Sequence, residues 1–543
     1  MQTAYTVLIL LMLVSVSRLV GRVIPLPLPL VQIAAGALLA WPTLGLHVAL
    51  NPELFLFLFL PPLLFSDGWR MPKRELWKLR GPILTLAVGL VLFTVVGAGY
   101  FIHWLVPSIP LPVAFALAAV LSPTDAVAVS AISQNRLPTP LMHMLQGEAL
   151  MNDASGLVTF KFALAAAITG AFSLANASLT FVLVAIGGLL VGVALSWLVG
   201  RLRAWMIARS WDDPATHVVF MLLLPFAAYV LAERLGVSGI LSAVAAGMMQ
   251  SWLDLLPRQT STRLLNRSVW SLLEFAFNGL IFLLLGLQLP DIIKAVVSHE
   301  TSLWPTLFYR CLDVVAIFLA LVMLRFIWVQ SIWRLSVLLR RWRGKGELTQ
   351  VPTARSCWLL TVGGVRGAVT LAGVMSVPML MGTEAFPERD LLIFIAAGVI
   401  LLSLVTACIA LPLLLRGLPT SPDDKRRQEV RDAWRKTAEA AIHALEAEEA
   451  NPQDAAQAAL AAELKARIMS EYRHQLEVFN DSAEAQALAF QMDLLERRLR
   501  LNALRAQRLE LYRLSRHHQI GDDVLREVLA DLDLSEANLG QVK

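Results

Sequence analysis

Thirteen stretches of the chain are apolar over about the length of a membrane span: roughly 3–20, 25–41, 51–68, 81–105, 111–133, 141–170, 178–200, 216–233, 236–252, 269–289, 306–333, 356–381 and 391–415. A helix needs ~20 apolar residues to cross the ~30 Å hydrocarbon core. The pattern therefore predicts an all-α polytopic membrane protein with about 13 transmembrane helices. The first stretch, around Tyr5–Val16, lacks the basic start and small-residue cleavage site of a signal peptide, and is expected to be retained as a span. Beyond Leu418 the pattern changes. PTSPDDKRRQ reads as a polar linker, and residues 425–540 are rich in Ala, Leu, Glu and Arg, punctuated by Asn451-Pro452 and Gly521. In LLERRLRLNALRAQRLELYRL (494–514) Leu recurs at three- and four-residue steps, which predicts an amphipathic helix packing on itself or on a second copy. The chain thus divides into a membrane domain, 1–417, and a helical tail, 418–543.

Composition agrees with the pattern. The chain is 57% hydrophobic and 16% charged, against about 25% charged in soluble domains. The net charge of +5 is unevenly shared. Residues 421–543 hold 18 Lys+Arg against 23 Asp+Glu (net −5), leaving 28 against 18 (net +10) for the rest. Alternate connections in the membrane part carry about 20 Lys/Arg, including Arg18, RMPKRELWKLR (70–80), Arg136, Arg201, Arg263 and Arg334–Arg355. The opposite set carries about three: Arg234, Lys294 and Arg389. The positive-inside rule then places the N-terminus outside and the tail in the cytoplasm. The basic excess has this explanation, so no nucleic-acid partner is expected; membrane lipids are. Cys311, Cys357 and Cys408 all lie in apolar segments, in neither a disulfide nor a zinc spacing.

A few polar residues stand inside the spans, where an ionisable side chain costs at least ~2.5–3.5 kcal/mol and marks a transport path or proton relay. In LSPTDAVAVS, Pro123 removes a helix hydrogen bond and clashes with the preceding turn, predicting a break or kink. Carbonyls freed beside Thr124 and Asp125 could bed a partly dehydrated monovalent cation; the alternative is a kinked helix capped by Asp125. In GEALMNDASGLVTFKF, Glu148 and Asn152 share a face, while Asp153 lies about 140° round from Glu148 at 3.6 residues per turn. Asp153 can face an aqueous path while Glu148 turns to another helix. A buried Glu needs a partner, and Arg325, mid-span in LALVMLRFIWV, is the proposed one, the alternative being Glu148 as a cation ligand. In TVGGVRGAVTLAGV, Gly363 and Gly364 permit close helix approach or an unwound stretch. Arg366 either neutralises carbonyl ends and buried carboxylates there or sits near an interface. Glu274 and Asn278 either line the path or knit helices together. Pro61-Pro62 kinks the third span just before Ser66 and Asp67. Lys161 is expected to reach outward, and His103, His143 and His217, near span ends, are expected to be solvated.

LPPLLFSDGW, LSPTDAVAVS, GEALMNDASG and GGVRGAVTLAG, in this order, resemble the cation:proton antiporter-1 family of bacterial sodium/proton antiporters and eukaryotic sodium/proton exchangers. The resemblance spans the whole membrane part, and the tail is similar to that of the bacterial branch. It implies thirteen spans with an inverted repeat, two broken helices crossing near the ion site, a homodimer, and a bacterial inner-membrane location. It also implies that Asp153 binds either cation or proton. Asp125 and the Thr124 backbone would complete the site, Asn152 would hold the crossing, and Arg325 and Arg366 would be the family's two buried arginines. One departure is Ala149, where many relatives have a Ser whose hydroxyl can ligate the ion. Electrogenic relatives of similar fold carry Asp-Asp where this chain has Asn152-Asp153, which implies one-for-one, electroneutral exchange.

The resulting expectation is a secondary transporter, not an enzyme, exchanging Na⁺, with Li⁺ as a further candidate, for H⁺ in pH and sodium homeostasis, with no cofactor beyond the transported ions. A potassium/proton antiporter with the same ligands is the main rival, since Ala149 weakens the sodium reading. An intramembrane aspartyl protease could pair Asp125 with Asp153, but its Tyr-Asp and Gly-x-Gly-Asp motifs are absent at these residues. A channel is disfavoured by the lack of a filter-like Gly repeat or charge ring. The tail carries no phosphate loop.

Overall fold

The computed structural model describes residues 2–23, 26–40, 52–134, 136–169, 174–209, 211, 213–254, 260–297, 303–342, 354–378, 380–381, 384–416, 424–447, 455–478, 483–517 and 519–540. It forms two compact units, Met1–Leu418 and Pro419–Lys543.

In the first unit each of the thirteen apolar stretches contains helix. Arg80–Leu84, the π-turn Thr85–Gly89 and Leu90–Leu105 run on as one rod. Two stretches are interrupted, as Leu111–Leu121 with Ala126–Ser133 and as Ala354–Val362 with Ala368–Met375. Among the described residues, six helices are long and apolar enough to cross a membrane, or seven with the first interrupted pair counted as one span. Leu28–Leu39 and Gly239–Leu253 are apolar but shorter, as is the Tyr5–Gly21 part of the first helix. The difference from thirteen has a physical reason. The remaining helices are short, broken, or carry charges such as Glu148, Asp153 and Lys161, and these are the features a buried site requires.

Exposure sorts the helices. Leu174–Ala208 and Leu303–Trp342 expose large apolar side chains such as Leu183, Leu190, Leu319 and Met323, as lipid-facing surfaces do. Arg389–Leu415 buries Ile395, Ala396, Val399, Ile400 and Leu404 completely, so it runs through the middle of the bundle. Where burial in lipid gives no hydrophobic drive between helices, small residues allow close packing. Leu28–Leu39 and Thr260–Val297 meet reciprocally: a Cβ on Gly36 would strike the Leu283 carbonyl, and one on Gly286 the Ile33 carbonyl. Pro52–Arg70 and Gly239–Leu253 use the same device, with Gly68 against the Val244 carbonyl and Gly247 against that of Phe65. Leu380–Met381 and Glu384–Ala385 make a two-residue antiparallel pair.

The second unit consists of Asp424–Ala447, Ala455–Val478, Ala483–Arg516 and Asp522–Gly540, each packed on the next. Arg508 joins the last two by pairing with Asp533 at 2.5 Å and Glu536 at 2.7 Å. Gly521 directly precedes the final helix, whereas Asn451-Pro452 lies outside the described residues.

Candidate functional site

The two interrupted helices cross at their breaks. Leu111–Leu121 and Ala126–Ser133 are bent by 44° about Ser122–Asp125, where Pro123 cannot continue the hydrogen-bond ladder. Asp125 caps the second half by accepting from Ala128 N at 2.9 Å. Its own N–H donates across the crossing to the Val365 carbonyl at 2.7 Å. Gly367 packs so closely on Asp125 that a side chain there would overlap its carboxylate. The backbone groups freed by the breaks are taken up by two guanidinium groups. Arg366, 4% exposed, donates from Nε to the Leu121 carbonyl at 2.8 Å and from Nη1 to the Gly364 carbonyl. Its N–H donates to Ser403 Oγ at 3.1 Å. Arg325 Nε donates to the Leu360 carbonyl at 2.9 Å. Irregular backbone at membrane depth is tolerated only when buried and satisfied in this way.

Thr139–Thr169 runs past the crossing and divides its polar residues as its helical pitch dictates. Glu148 is 0% exposed and forms a two-pronged ion pair with Arg325, its Oε2 accepting from Nη2 at 2.8 Å and its Oε1 from Nη1. Asn152 clasps the broken helix. Its Nδ2 donates to Thr124 Oγ1 at 2.9 Å, and its Oδ1 accepts from Thr124 N at 3.5 Å. Asp153, 8% exposed, faces elsewhere, into a cavity of about 550 Å³. Ser155 Oγ ties this helix to the π-turn by donating to the Ala87 carbonyl at 2.6 Å.

The cavity wall includes Thr124, Asp125, Asp153, Ala149 and Gly367, with Glu274 and Asn278 on the facing helix. At ~30 Å³ per water, its volume can admit well over a dozen waters, so a cation can arrive hydrated. Ala149 presents a methyl group to it. Glu274 both lines the cavity and joins helices, accepting from Ser66 Oγ and pairing with Arg70 at 2.7 Å. Among the described residues no group of three His, Cys, Asp or Glu side chains is gathered as a metal cage. The carboxylates are instead spread around the wall, alongside backbone carbonyls at the breaks. Each of these carboxylates can be neutralised by one proton or by one monovalent cation.

Some placements differ from the sequence reading. Asp67, noted there only as following the Pro61-Pro62 kink, lines the cavity together with Asp125 and Asp153. In the sequence it is a carboxylate near the end of an apolar span, a position that fits solvent and a cavity wall equally well. His217 is buried, not solvated, at 1% exposure, and accepts from Arg203 Nε at 3.4 Å. His103 contacts the Ile109 carbonyl at 2.8 Å. Lys161 does reach outward, but it pairs with Glu233 at 3.0 Å and takes no part in the cavity wall.

Residues 7–417 match the family model described as sodium/hydrogen exchanger, transmembrane. The chain is 46% identical over 555 aligned positions to the Na(+)/H(+) exchanger YjcE of Escherichia coli, covering 99% of each chain. It is 41% identical over 556 positions to the sodium, potassium, lithium and rubidium/H(+) antiporter of Bacillus pumilus, covering 100% of this chain and 79% of that one. Among solved structures, the sodium proton antiporter MjNhaP1 of Methanocaldococcus jannaschii shares the fold, with a TM-score of 0.57 at 18% identity over 78% of this chain and 100% of that one. With its crossed broken helices and carboxylate-lined cavity, the chain belongs to the sodium/hydrogen exchanger family, multi-pass membrane proteins that exchange monovalent cations for protons.

Proposed function

We propose that Asp153 is the exchange site, taking up either one monovalent cation or one proton, with Asp125 and the Thr124 backbone completing the coordination. The observation that carries this reading is the position of Asp153, buried at the wall of a 550 Å³ cavity beside the crossing of two helix breaks. A carboxylate neutralised by either ion, but not by both, gives exchange when the site changes sides only in a loaded state. Asn152 holds Thr124 in place, Pro123 creates the break, and Gly363 and Gly364 let the second broken helix come close. Glu148, Arg325 and Arg366 hold the crossing rigid by pairing and by taking up carbonyls. Asp67 and Glu274 add negative charge along the approach, which favours cations in the cavity.

Exchange of one cation for one proton moves no net charge. Each uncompensated charge would couple to the membrane potential by ~2.3 kcal/mol per 100 mV. With Asn152 neutral, the pair Asn152-Asp153 offers one titrating group, and the cycle is electroneutral. By the distribution of Lys and Arg the N-terminus lies outside and the tail in the cytoplasm, and the bacterial relatives support an inner-membrane location. The cavity wall extends to Arg70 and Gln134, at helix ends followed by basic connections, which supports a site facing the cytoplasm in this conformation. The exposed apolar stripe on residues 494–514 supports homodimerisation of the tail, and thirteen spans remain the proposed count.

Sodium, with lithium, is the proposed cation. Potassium is the second reading, because Ala149 removes a hydroxyl from the site and the Bacillus pumilus relative is named for potassium as well. The test is a ΔpH assay in everted vesicles with Na⁺, Li⁺ and K⁺ added separately. Proton movement with Na⁺ and Li⁺ supports the proposal, movement with K⁺ alone selects the second reading, and none with any cation refutes both.

A further inference from the structure

A second cavity, of about 540 Å³, lies where five helix ends meet: the ends of Pro52–Arg70, Leu174–Ala208 and Gly239–Leu253, and the starts of Pro214–Arg234 and Thr260–Val297. Its wall carries four arginines, Arg70, Arg203, Arg263 and Arg267, against one carboxylate, Asp254. That carboxylate is already engaged, accepting from Trp69 Nε1 at 2.5 Å and from Gln250 Nε2 at 3.3 Å. Arg203 is only 2% exposed, so its charge is held away from bulk water. Two further polar side chains in the wall are more than nine-tenths buried, Thr262 at 2% and Asn266 at 5% exposed. Thr262 Oγ1 and Asn266 Oδ1 have no hydrogen-bond partner among the described residues. Buried polar atoms of this kind are rare without a ligand or ordered water to satisfy them. Since the amide O and N of Asn are interchangeable by a flip, Asn266 can present a donor as readily as an acceptor.

Converging guanidinium groups with buried hydroxyl and amide groups are the chemistry that recognises phosphate, through paired N–H donors in a planar fork. We propose that this second cavity binds a phosphate-bearing anion, and that occupancy draws Arg70 away from Glu274. Arg70 belongs to the walls of both cavities and pairs with Glu274 at 2.7 Å. When the anion takes the Arg70 guanidinium, Glu274 keeps its charge facing the first cavity uncompensated. The first cavity then becomes more negative and holds cations more tightly. This coupling rests on the first cavity being the ion path, whereas the binding site itself does not.

The binding test uses the purified full chain in detergent, with thermal unfolding as the readout. Inorganic phosphate is compared with chloride at equal ionic strength, and micelles doped with phosphatidylglycerol are compared with micelles doped with phosphatidylcholine. The expected result is a rise in midpoint of about 2 °C with a phosphate-bearing additive. The rise, taken from each variant's own midpoint without anion, is lost in Arg263→Ala/Arg267→Ala, two exposed positions in the cavity wall. A shift with inorganic phosphate identifies a free anion as the ligand, and a shift with phosphatidylglycerol alone identifies a lipid headgroup. No shift with either, or an equal shift in the double variant, overturns the site.

The coupling test measures cation-driven proton flux in proteoliposomes. The effective anion should lower the half-saturating cation concentration about fivefold, and Glu274→Gln should abolish that change while keeping the thermal shift. A thermal shift with no change in half-saturation would overturn the coupling while leaving the site standing. Failure of exchange itself would show in the flux assay alone, since the thermal readout is independent of it.

Discussion

Replacing Glu148 by Gln isolates the ion pair that braces the crossing. Gln keeps the volume and one carbonyl oxygen but removes the charge that faces Arg325, in a pair whose side chains are 0% and 2% exposed. The Arg325 guanidinium would keep the Leu360 carbonyl as an acceptor but hold an uncompensated charge at depth. A second charge stands close by: the Cβ position of Gly364 lies 2.7 Å from Arg325 Cδ and 3.0 Å from Arg366 Nη1. Removing one partner of a buried ion pair typically costs about 3–5 kcal/mol. At roughly 2 °C per kcal/mol for a chain of this size, the apparent unfolding midpoint should fall by about 6–10 °C. The assay is thermal unfolding in detergent followed by intrinsic fluorescence, run on the parent, Glu148→Gln, Arg325→Met and the double variant Glu148→Leu/Arg325→Met. The double variant should recover most of the loss, because an apolar pair of similar volume leaves no buried charge. A midpoint for Glu148→Gln within a degree of the parent, or additive losses in the double variant, would refute the reasoning.

Ala149→Ser restores a hydroxyl to the cavity wall beside Asp153; an added polar interaction of about 1 kcal/mol corresponds to roughly fivefold, so the half-saturating Na⁺ concentration should fall by about that factor relative to K⁺ in vesicle ΔpH assays. Unchanged half-saturation for both ions would show that position 149 does not reach the ion. Asn152→Asp places a second titrating group beside Asp153 and removes the amide donor to Thr124 Oγ1; exchange in proteoliposomes should become sensitive to an imposed potassium diffusion potential, and voltage-independent flux would contradict the charge bookkeeping. Asp213 caps Pro214–Arg234, and its hydrogen bonds from the Thr216 hydroxyl and N–H hold its carboxyl below the usual carboxylate range. The cap's contribution is therefore complete above the ordinary Asp value of about 3.9 and is lost as pH falls through the lower folded value. Asp213→Ala should lower the midpoint at pH 6 and converge on the parent in strong acid; parallel curves across that range would rule the cap out.

Much of the site could be read from residue type and spacing, because the cost of polar groups in an apolar span is local. Pro123 marked the break, helical pitch separated Asp153 from Glu148, and the need for a partner led from Glu148 to Arg325, 177 positions away. The sequence also left open whether Arg366 sat at depth or at an interface, and its contacts with the Leu121 and Gly364 carbonyls answer that. Other features exist only once helices are packed. Nothing in LPPLLFSDGW says that Asp67 turns to the same cavity as Asp125 and Asp153, since a carboxylate near a span end reads equally well as solvated. Gly36 and Gly247 are ordinary small residues until the Leu283 and Phe65 carbonyls approach them. His217 differs from its sequence expectation for the same reason: its position near a helix start signals solvent, yet neighbouring helix ends close over it beside Arg203. The second cavity draws on five helix ends and has no linear motif at all.

The central claim is that one carboxylate, Asp153, carries either ion. The most direct measurement is proton release on cation binding to the purified, weakly buffered protein, with bound cation determined in parallel. Close to one proton should be released for each Na⁺ bound, with neither binding nor release in Asp153→Asn. Cation binding without proton release, or a full response in Asp153→Asn, would contradict it.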